Sequence, residues 1–111
     1  MAAKSNPINK VAKGNRTELL ARKELERLGY LVDKKPRTRF ISPDLFGVFD
    51  LIAILGSTAR LIQVKSNRTD FYKARKEIIG WKKEHHIKLP CEVWLYEGKV
   101  MRQTVWRIEE C

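Results

Sequence analysis

The stretch that decides the fold lies in the middle of the chain. It consists of residues 49–55 (FDLIAIL), residues 56–59 (GSTA) and residues 60–65 (RLIQVK). Two apolar runs rich in β-branched residues flank a short segment of small turn residues, which predicts a β-hairpin. The first run is almost entirely apolar after Asp50, as in a strand that is buried on both faces. A carboxylate therefore stands at the start of a buried strand.

The register of this hairpin predicts which side chains lie together. With the turn centred on residues 57–58, Asp50 lies opposite Lys65. The same register sets Ile52 opposite Gln63. Because opposed residues share one face of a sheet, Asp50, Gln63 and Lys65 are expected on the same face. A shift of one residue would separate them.

A carboxylate, an amide and an amine on one face of an apolar hairpin suit metal-assisted cleavage of a phosphodiester bond. Carboxylate and amide oxygens bind hard cations such as Mg²⁺. A lysine can orient the attacking water and offset negative charge on the phosphate. The alternative is a simple cross-strand ion pair between Asp50 and Lys65, although a buried pair alone is a weak source of stability.

Composition describes an ordinary globular protein. The 111 residues predict one domain, with 43% hydrophobic and 32% charged residues. No apolar run has the length of a membrane span, and the basic amino-terminal segment lacks the apolar core of a signal peptide. We therefore expect no membrane partner. We also expect no small-molecule cofactor. The expected location is the cytoplasm, or the host cytoplasm if the protein is viral.

The net charge of +10 predicts a polyanionic partner, most often nucleic acid. Ribosomal, chromatin and nuclease domains share this property, so charge alone does not choose among them. The two cysteines, Cys91 and Cys111, have no zinc-ligand spacing and are interpreted as reduced thiols.

The amino-terminal part of the chain predicts an arm and a helix. Residues 1–13 are interpreted as a flexible basic arm, and residues 14–111 as a single domain. Asn15 is a candidate N-cap, with Glu18 three residues later as in a capping box. Glu18 also stands at the top of the apolar stripe that packs on the sheet, from which its carboxylate would point toward the sheet end. Both roles of Glu18 remain open at this stage, and Gly29 ends the helix.

The remaining elements follow from periodicity and turn residues. They are a first strand from Tyr30, a helix over 70–86 capped by Thr69 or Asp70, and strands over 92–96 and 103–108 with a turn at Gly98. The order is α-β-β-β-α-β-β, which predicts an α/β fold with a central mixed sheet flanked by helices. The link through the second helix is long enough for a crossover to a parallel strand. Gly80 within that helix hints at close packing.

A basic segment, residues 33–39, follows the first strand and is interrupted by Pro36. Such a segment beside a carboxylate site suits contacts with phosphates. A merely solvated loop is the alternative.

Several short motifs, in their order and spacing, resemble the PD-(D/E)XK nuclease superfamily and, within it, the archaeal-type Holliday junction resolvases. The resemblance covers residues 13 to 109. The motifs are KGNRTE at 13–18, LGY at 28–30, DLIA at 50–53, QVKS at 63–66 and the strands over 91–96 and 105–108.

The resemblance implies a restriction-endonuclease-like core and a DNA endonuclease that depends on Mg²⁺ or Mn²⁺. It also implies a homodimer that acts on branched DNA such as Holliday junctions. It implies metal-binding roles for Glu18 and Asp50 and a catalytic role for Lys65. With the hairpin residues added, we predict that the metal ligands are Glu18, Asp50, Gln63 and the carbonyl of Val64. The predicted catalytic residues are Glu18, Asp50, Gln63 and Lys65. The residues expected to bind DNA are Lys13, Arg16, Lys34, Lys35, Arg37, Arg39, Ser66 and Arg68.

The chain departs from the family pattern in two places. The family usually has an acidic residue where Gln63 stands, and an amide oxygen can bind magnesium but carries no charge. The connection from Tyr30 to Asp50 is long for a resolvase. Asp44 belongs to a Pro-Asp dipeptide like the one that names the superfamily, but no strand-like run follows it, so Asp50 is preferred. The alternative function is a weakly active or inactive nuclease fold that binds structured DNA or RNA.

Overall fold

The structure is a computed structural model that describes residues 7–34 and 45–111, with side chains from Arg16 onward. The predicted α-β-β-β-α-β-β order is confirmed. The elements are α1 (Pro7–Arg27), β1 (Leu31–Lys34), β2 (Leu51–Leu55), β3 (Thr58–Lys65), α2 (Arg68–His85), β4 (Cys91–Val100) and β5 (Gln103–Glu110). Within these described ranges, neither helix combines the length and apolar character that a membrane span requires.

The five strands form one mixed sheet in the order β1-β2-β3-β4-β5. Strands β3 and β4 are parallel, as predicted for strands joined through a helix, and every other neighbouring pair is antiparallel. The parallel pair lies at the centre of the sheet. Its carboxyl-terminal end lies beside the start of β2, where Asp50 stands.

Each helix covers one face of the sheet with its own core. On the α1 face, Ala21 and Leu25 pack with Ile62, Val64 and other residues of the sheet. The α2 face contains Phe71, Ala74, Ile78, Leu61, Val93, Leu95 and other buried residues. Successive residues of β3 therefore alternate between the two cores, which is the period-2 pattern of a central strand.

Helix α1 begins at Pro7, so the predicted start at Asn15 is wrong. Proline suits the first position of a helix because its φ angle is already helical and its missing N–H would have had no partner there. Residues 7–13, interpreted as part of a flexible arm, are helical, whereas residues 1–6 lie outside the described residues. Since Asn15 is inside the helix, it cannot be the N-cap of a capping box with Glu18.

The end of α1 agrees with the prediction at Gly29. Gly29 has φ of +100°, and its N–H donates to the carbonyl of Glu26. The N–H of Tyr30 donates to the carbonyl of Leu25 at 3.0 Å. This pair of hydrogen bonds is a Schellman motif, which needs a residue that tolerates the left-handed region. Glycine at this position therefore stops the helix and turns the chain into β1.

Helix α2 is capped by Asn67, not by Thr69 or Asp70 as predicted. The side chain of Asn67 accepts a hydrogen bond from the N–H of Asp70 at 2.9 Å. The expected close packing at Gly80 is also wrong, because a Cβ built there meets no atom within 4 Å.

Replacing Gly80 with alanine is therefore expected to stabilise the protein by about 0.5–1 kcal/mol, since glycine is a poor helix former and no neighbour is displaced. Urea unfolding measures the change. Gly98→Ala is the matched control, because Gly98 has φ of +103° and is expected to lose stability on the same substitution. A loss of stability in Gly80→Ala would contradict the packing described for α2.

The β4–β5 hairpin is longer than predicted. Its turn lies at Met101 and Arg102, whereas Gly98, the predicted turn residue, lies within β4. The pairing register shifts between Tyr96 and Lys99, so Gly98 lies at a β-bulge. A bulge often takes a glycine with positive φ, which explains why this residue resembles a turn residue in the sequence.

A charged network joins β3 and β4 on the α1 face. The Arg60 guanidinium donates to both Glu92 carboxylate oxygens at 2.6 and 2.7 Å, and Trp94 Nε1 donates to Glu92 Oε1 at 2.8 Å. The guanidinium also lies 5.0 Å from the centre of the Tyr30 ring. The hydrogen bonds to Glu92 raise the pKa of Arg60, so its charge is kept at every accessible pH.

Glu92→Gln is expected to cost about 2–3 kcal/mol, because it leaves a partly buried guanidinium without its counter-charge. The free energy of unfolding in urea measures this loss. Glu26→Gln removes an exposed ion pair with Arg22 and should cost less than about 0.5 kcal/mol. Equal losses in the two variants would contradict a structural role for the Arg60 network.

Both cysteines are free, which agrees with their interpretation as reduced thiols. Burial raises the pKa of the Cys91 thiol and that of the Cys111 thiol. Both thiols are therefore protonated at neutral pH and poorly nucleophilic.

Candidate metal and nucleic-acid site

The predicted register of the central hairpin is wrong by two residues. Leu55 pairs with Thr58 and Leu51 pairs with Ile62, around a turn at residues 56–57. Continuing this ladder by one residue places Asp50 opposite Gln63 instead of Lys65. Because side chains alternate with period 2, a shift of two residues leaves each side chain on its predicted face.

Asp50 lies at the point where β2 separates from β3. Its N–H donates to the carbonyl of Ile62 at 2.9 Å, and its carboxylate Oδ2 accepts the N–H of Val64 at 2.8 Å. The residue is 4% exposed. The carboxylate of Asp50 thus accepts the Val64 N–H in place of a backbone carbonyl of a neighbouring strand.

The Val64 carbonyl points toward the same side of β3 as the Val64 N–H, because the N–H and C=O of one residue in an antiparallel ladder face the same neighbour. The adjacent residues face the other neighbour, as the hydrogen bond from the Leu61 N–H to the Pro90 carbonyl shows. Strand β2 does not reach the level of Val64, because its first residue, Leu51, pairs with Ile62. The carbonyl oxygen of Val64 therefore faces the region that the Asp50 carboxylate occupies.

Gln63 presents a buried oxygen. The residue is 4% exposed, and its Oε1 makes no hydrogen bond with any residue of the described ranges. A buried amide oxygen without a partner costs about 1–3 kcal/mol, so such atoms are rare in stable proteins. The atom lies on the α2 face of the sheet, directly across from Asp50 in the continued register.

Lys65 is the last residue of β3 and shares the face of Gln63, two residues before it. It is half-buried. Ser66 and Arg68 follow immediately, and Arg68 is the first residue of α2. Lys65 therefore lies at the end of β3, at the edge of the core.

Glu18 lies at the same end of the sheet but on a helix that packs on the other face. The carboxyl end of α1 is near β2, since Gly29 lies close to Leu55. Its amino-terminal half is near β4, where Thr17 and Tyr96 line one hollow. The role of Glu18 as a metal ligand stays a prediction.

Basic residues surround this end of the sheet. Lys34 pairs with Leu51 and is exposed, Arg68 is exposed at the start of α2, and Arg16 is exposed on α1. The side chain of Lys13 is not described, and Lys35, Arg37, Arg39 and the rejected Asp44 lie outside the described residues. Sequence reasoning missed Lys99, which lines the same hollow as Arg16.

The residues present fit a hard divalent cation in the type of their ligand atoms but not in the number of their charged side chains. The Asp50 carboxylate accepts the Val64 N–H, and the continued register places Asp50 opposite Gln63, whose amide oxygen has no hydrogen-bond partner among the described residues. Oxygen atoms of these kinds are the ligands that Mg²⁺ prefers. Within ranges 7–34 and 45–111, however, no three His, Cys, Asp or Glu side chains are grouped to hold a metal. A site built on one carboxylate is consistent with Mg²⁺, which commonly uses one or two carboxylates together with substrate phosphates.

Chemically, carboxylate, amide and carbonyl oxygens suit a hard cation, and a lysine amine suits the charge of a phosphate. Comparison of the chain with protein-family models, with curated proteins and with solved structures found no match.

Proposed function

We propose that this chain is a divalent-metal-dependent DNA endonuclease that hydrolyses phosphodiester bonds in branched DNA, in the manner of the archaeal-type resolvases. The observation that carries the proposal is a buried carboxylate, Asp50, at the amino-terminal end of β2, with Gln63 opposite it in the continued register. The Gln63 amide oxygen is buried and has no hydrogen-bond partner among the described residues. Lys65 on the same face and the net charge of +10 support a phosphate-bearing substrate.

In this proposal Asp50, Gln63 and the Val64 carbonyl hold Mg²⁺ or Mn²⁺, and Glu18 completes the ligand set. The cation, when bound, supplies positive charge that stabilises the developing charge on the phosphate and activates water. Lys65 orients the attacking water and neutralises part of the phosphate charge. The hydrogen bond from the Val64 N–H holds the Asp50 carboxylate in place, so little reorganisation accompanies substrate binding.

The exposed cations contact the phosphate backbone on either side of the cut. Arg16, Lys34 and Arg68 occupy three different elements around the site, so a duplex lying across this end of the sheet would meet all three. We further propose that the chain acts as a homodimer, because two sites are needed to cut two strands of a junction. Sedimentation of the chain alone and with a junction tests that part.

A panel of DNA substrates tests the proposed activity. Four-way junctions, flaps and linear duplexes of matched sequence are incubated with the chain, with Mg²⁺ or with EDTA. We expect Mg²⁺-dependent cuts in the junction and much slower cutting of the linear duplex. No cutting of any DNA with Mg²⁺ or Mn²⁺ would contradict the proposal.

A second candidate is a module that binds structured nucleic acid without cutting it. The observation that favours it is the neutral Gln63 where the resolvases usually have an acidic ligand. In addition, the described residues hold no group of three His, Cys, Asp or Glu side chains that could bind a metal. This function predicts tight binding to junctions that is the same with Mg²⁺ and with EDTA. Competition by structured RNA would separate a DNA-binding module from an RNA-binding one.

A further inference from the structure

The β4–β5 hairpin extends well beyond the rest of the sheet. Leu95 pairs with Lys65, the last residue of β3, whereas β4 continues to Val100 before the chain turns. At about 3.3 Å per residue, Met101 lies up to roughly 20 Å beyond Leu95. The hairpin is thus a two-stranded ribbon that starts at the level of the candidate site and leads away from it.

The tip of this ribbon exposes apolar side chains between cations. Met101 is 92% exposed, the largest exposure of any large apolar residue in the described ranges, and Val100 is 61% exposed. Lys99 and Arg102, on either side, are also exposed. A long apolar side chain held in water between two positive charges has no role in the core.

The backbone of the tip is also unfavourable for its residues. Met101 has φ of +52° and Arg102 has φ of +69°. Two-residue hairpin turns with both φ angles positive favour Asn-Gly or Asp-Gly, because a side chain at these positions is strained. Methionine and arginine are therefore unfavourable residues for the turn that they form, because both adopt a positive φ angle. Strain of this kind points to a function of the side chains.

We propose, on the basis of the proposed function, that the ribbon tip is a wedge that opens branched DNA. Met101 inserts between two base steps at the branch, as apolar wedges of other kinds do, and Lys99 and Arg102 contact the phosphates on either side. A hollow of about 470 Å³ at the stem, lined by Arg16, Tyr96 and Lys99 among others, extends the basic surface back toward the site. The charge of this surface favours DNA over a protein partner.

The length of the ribbon sets a limit on the geometry. A reach of about 20 Å spans roughly six base-pair steps at 3.4 Å each. The cut is therefore expected no more than about six nucleotides from the opened step.

The test uses a four-way junction that carries 2-aminopurine at the branch, in EDTA so that no DNA is cut. The parent chain is expected to raise the emission of 2-aminopurine, because this base brightens when it is unstacked. Met101→Gly is expected to lose most of that rise and to bind the junction about three- to tenfold more weakly, while its affinity for linear duplex changes less than about twofold. Glycine suits a positive φ, so the variant is expected to melt at the parent temperature or above it.

Two kinds of control accompany this variant. Leu31→Asn removes an apolar side chain that is 74% exposed on β1, at the opposite end of the sheet, and should leave both readouts unchanged. Lys99→Ala and Arg102→Ala should each reduce the steepness of the fall of log affinity with log salt concentration by about one unit of slope.

Three results would overturn the wedge. The first is a Met101→Gly variant that raises the emission of 2-aminopurine and binds the junction as strongly as the parent chain does. In that case the proposed function still stands if the parent chain cuts junctions. The second is a change from dimer to monomer in Met101→Gly on sedimentation, which would make the tip a subunit contact. The third is a parent chain that binds no DNA, which would overturn the proposed function as well.

Discussion

Asp50→Asn is expected to lower Mg²⁺-dependent cleavage of a four-way junction by about 10³-fold or more. The substitution removes the buried negative charge that a cation would need, yet asparagine keeps an oxygen that can accept the N–H of Val64. The fold and the binding of the junction should therefore be retained. Initial rates of cleavage at saturating DNA, with affinity measured separately in EDTA, give the two quantities.

Asp33→Asn is the matched control for this experiment. Asp33 is an exposed carboxylate on β1, and its replacement removes the same charge at a distance from Val64. Its cleavage rate should stay within about twofold of the parent, since exposed charges contribute little to a buried site. If Asp50→Asn cut junctions at the rate of Asp33→Asn, Asp50 would not be part of a catalytic site.

Gln63→Glu is expected to strengthen the binding of divalent cations. The concentration of Mg²⁺ that gives half-maximal cleavage should fall about tenfold, because a second carboxylate replaces a neutral amide beside Asp50. Without metal, the two buried carboxylates repel each other, so the melting temperature should fall. Adding Mg²⁺ should restore it, because a cation that binds only the folded state stabilises that state.

Gln103→Glu is the control, since Gln103 is the other glutamine of the chain and is exposed at the start of β5. This variant should show neither the loss of melting temperature nor the response to Mg²⁺. A melting temperature of Gln63→Glu that did not change between EDTA and Mg²⁺ would contradict a cation site at Gln63.

The order of the elements could be predicted because its signals are local. Two β-branched runs around a short turn define β2 and β3, and Gly29 ends α1 through a motif that spans six residues. The parallel pairing of β3 with β4 follows from the length of the connection through α2. None of these features depends on long-range packing.

The start of α1 and the hairpin turns were harder to predict. Gly14 and Asn15 look like a helix boundary in the sequence, yet the helix continues through them to Pro7. Gly98 looks like a turn, but a bulge needs the same positive φ. Met101 and Arg102 carry no turn signal at all, so the ribbon tip could not be placed from propensity.

The candidate site could be predicted in part. The face of the sheet on which a side chain lies alternates along each strand. The sequence therefore predicts one face for Asp50, Gln63 and Lys65, even though the predicted register differs from the observed one by two residues. Which residue lies opposite Asp50 depends on the exact turn, and a turn one residue earlier than predicted shifts the pairing partner by two residues. The position of Glu18 depends on which face α1 covers, and no local pattern in the sequence carries that information.

A cation between Asp50 and Gln63 can be located by NMR with Mn²⁺, which broadens the signals of nearby protons. With glutamine-selective ¹⁵N labelling, the chain gives two side-chain amides, those of Gln63 and Gln103. Substoichiometric Mn²⁺ is expected to broaden the Gln63 amide strongly, to leave Gln103 sharp, and to have no such effect in Asp50→Asn. A Gln63 amide that stays as sharp as that of Gln103 would contradict a metal site at this position.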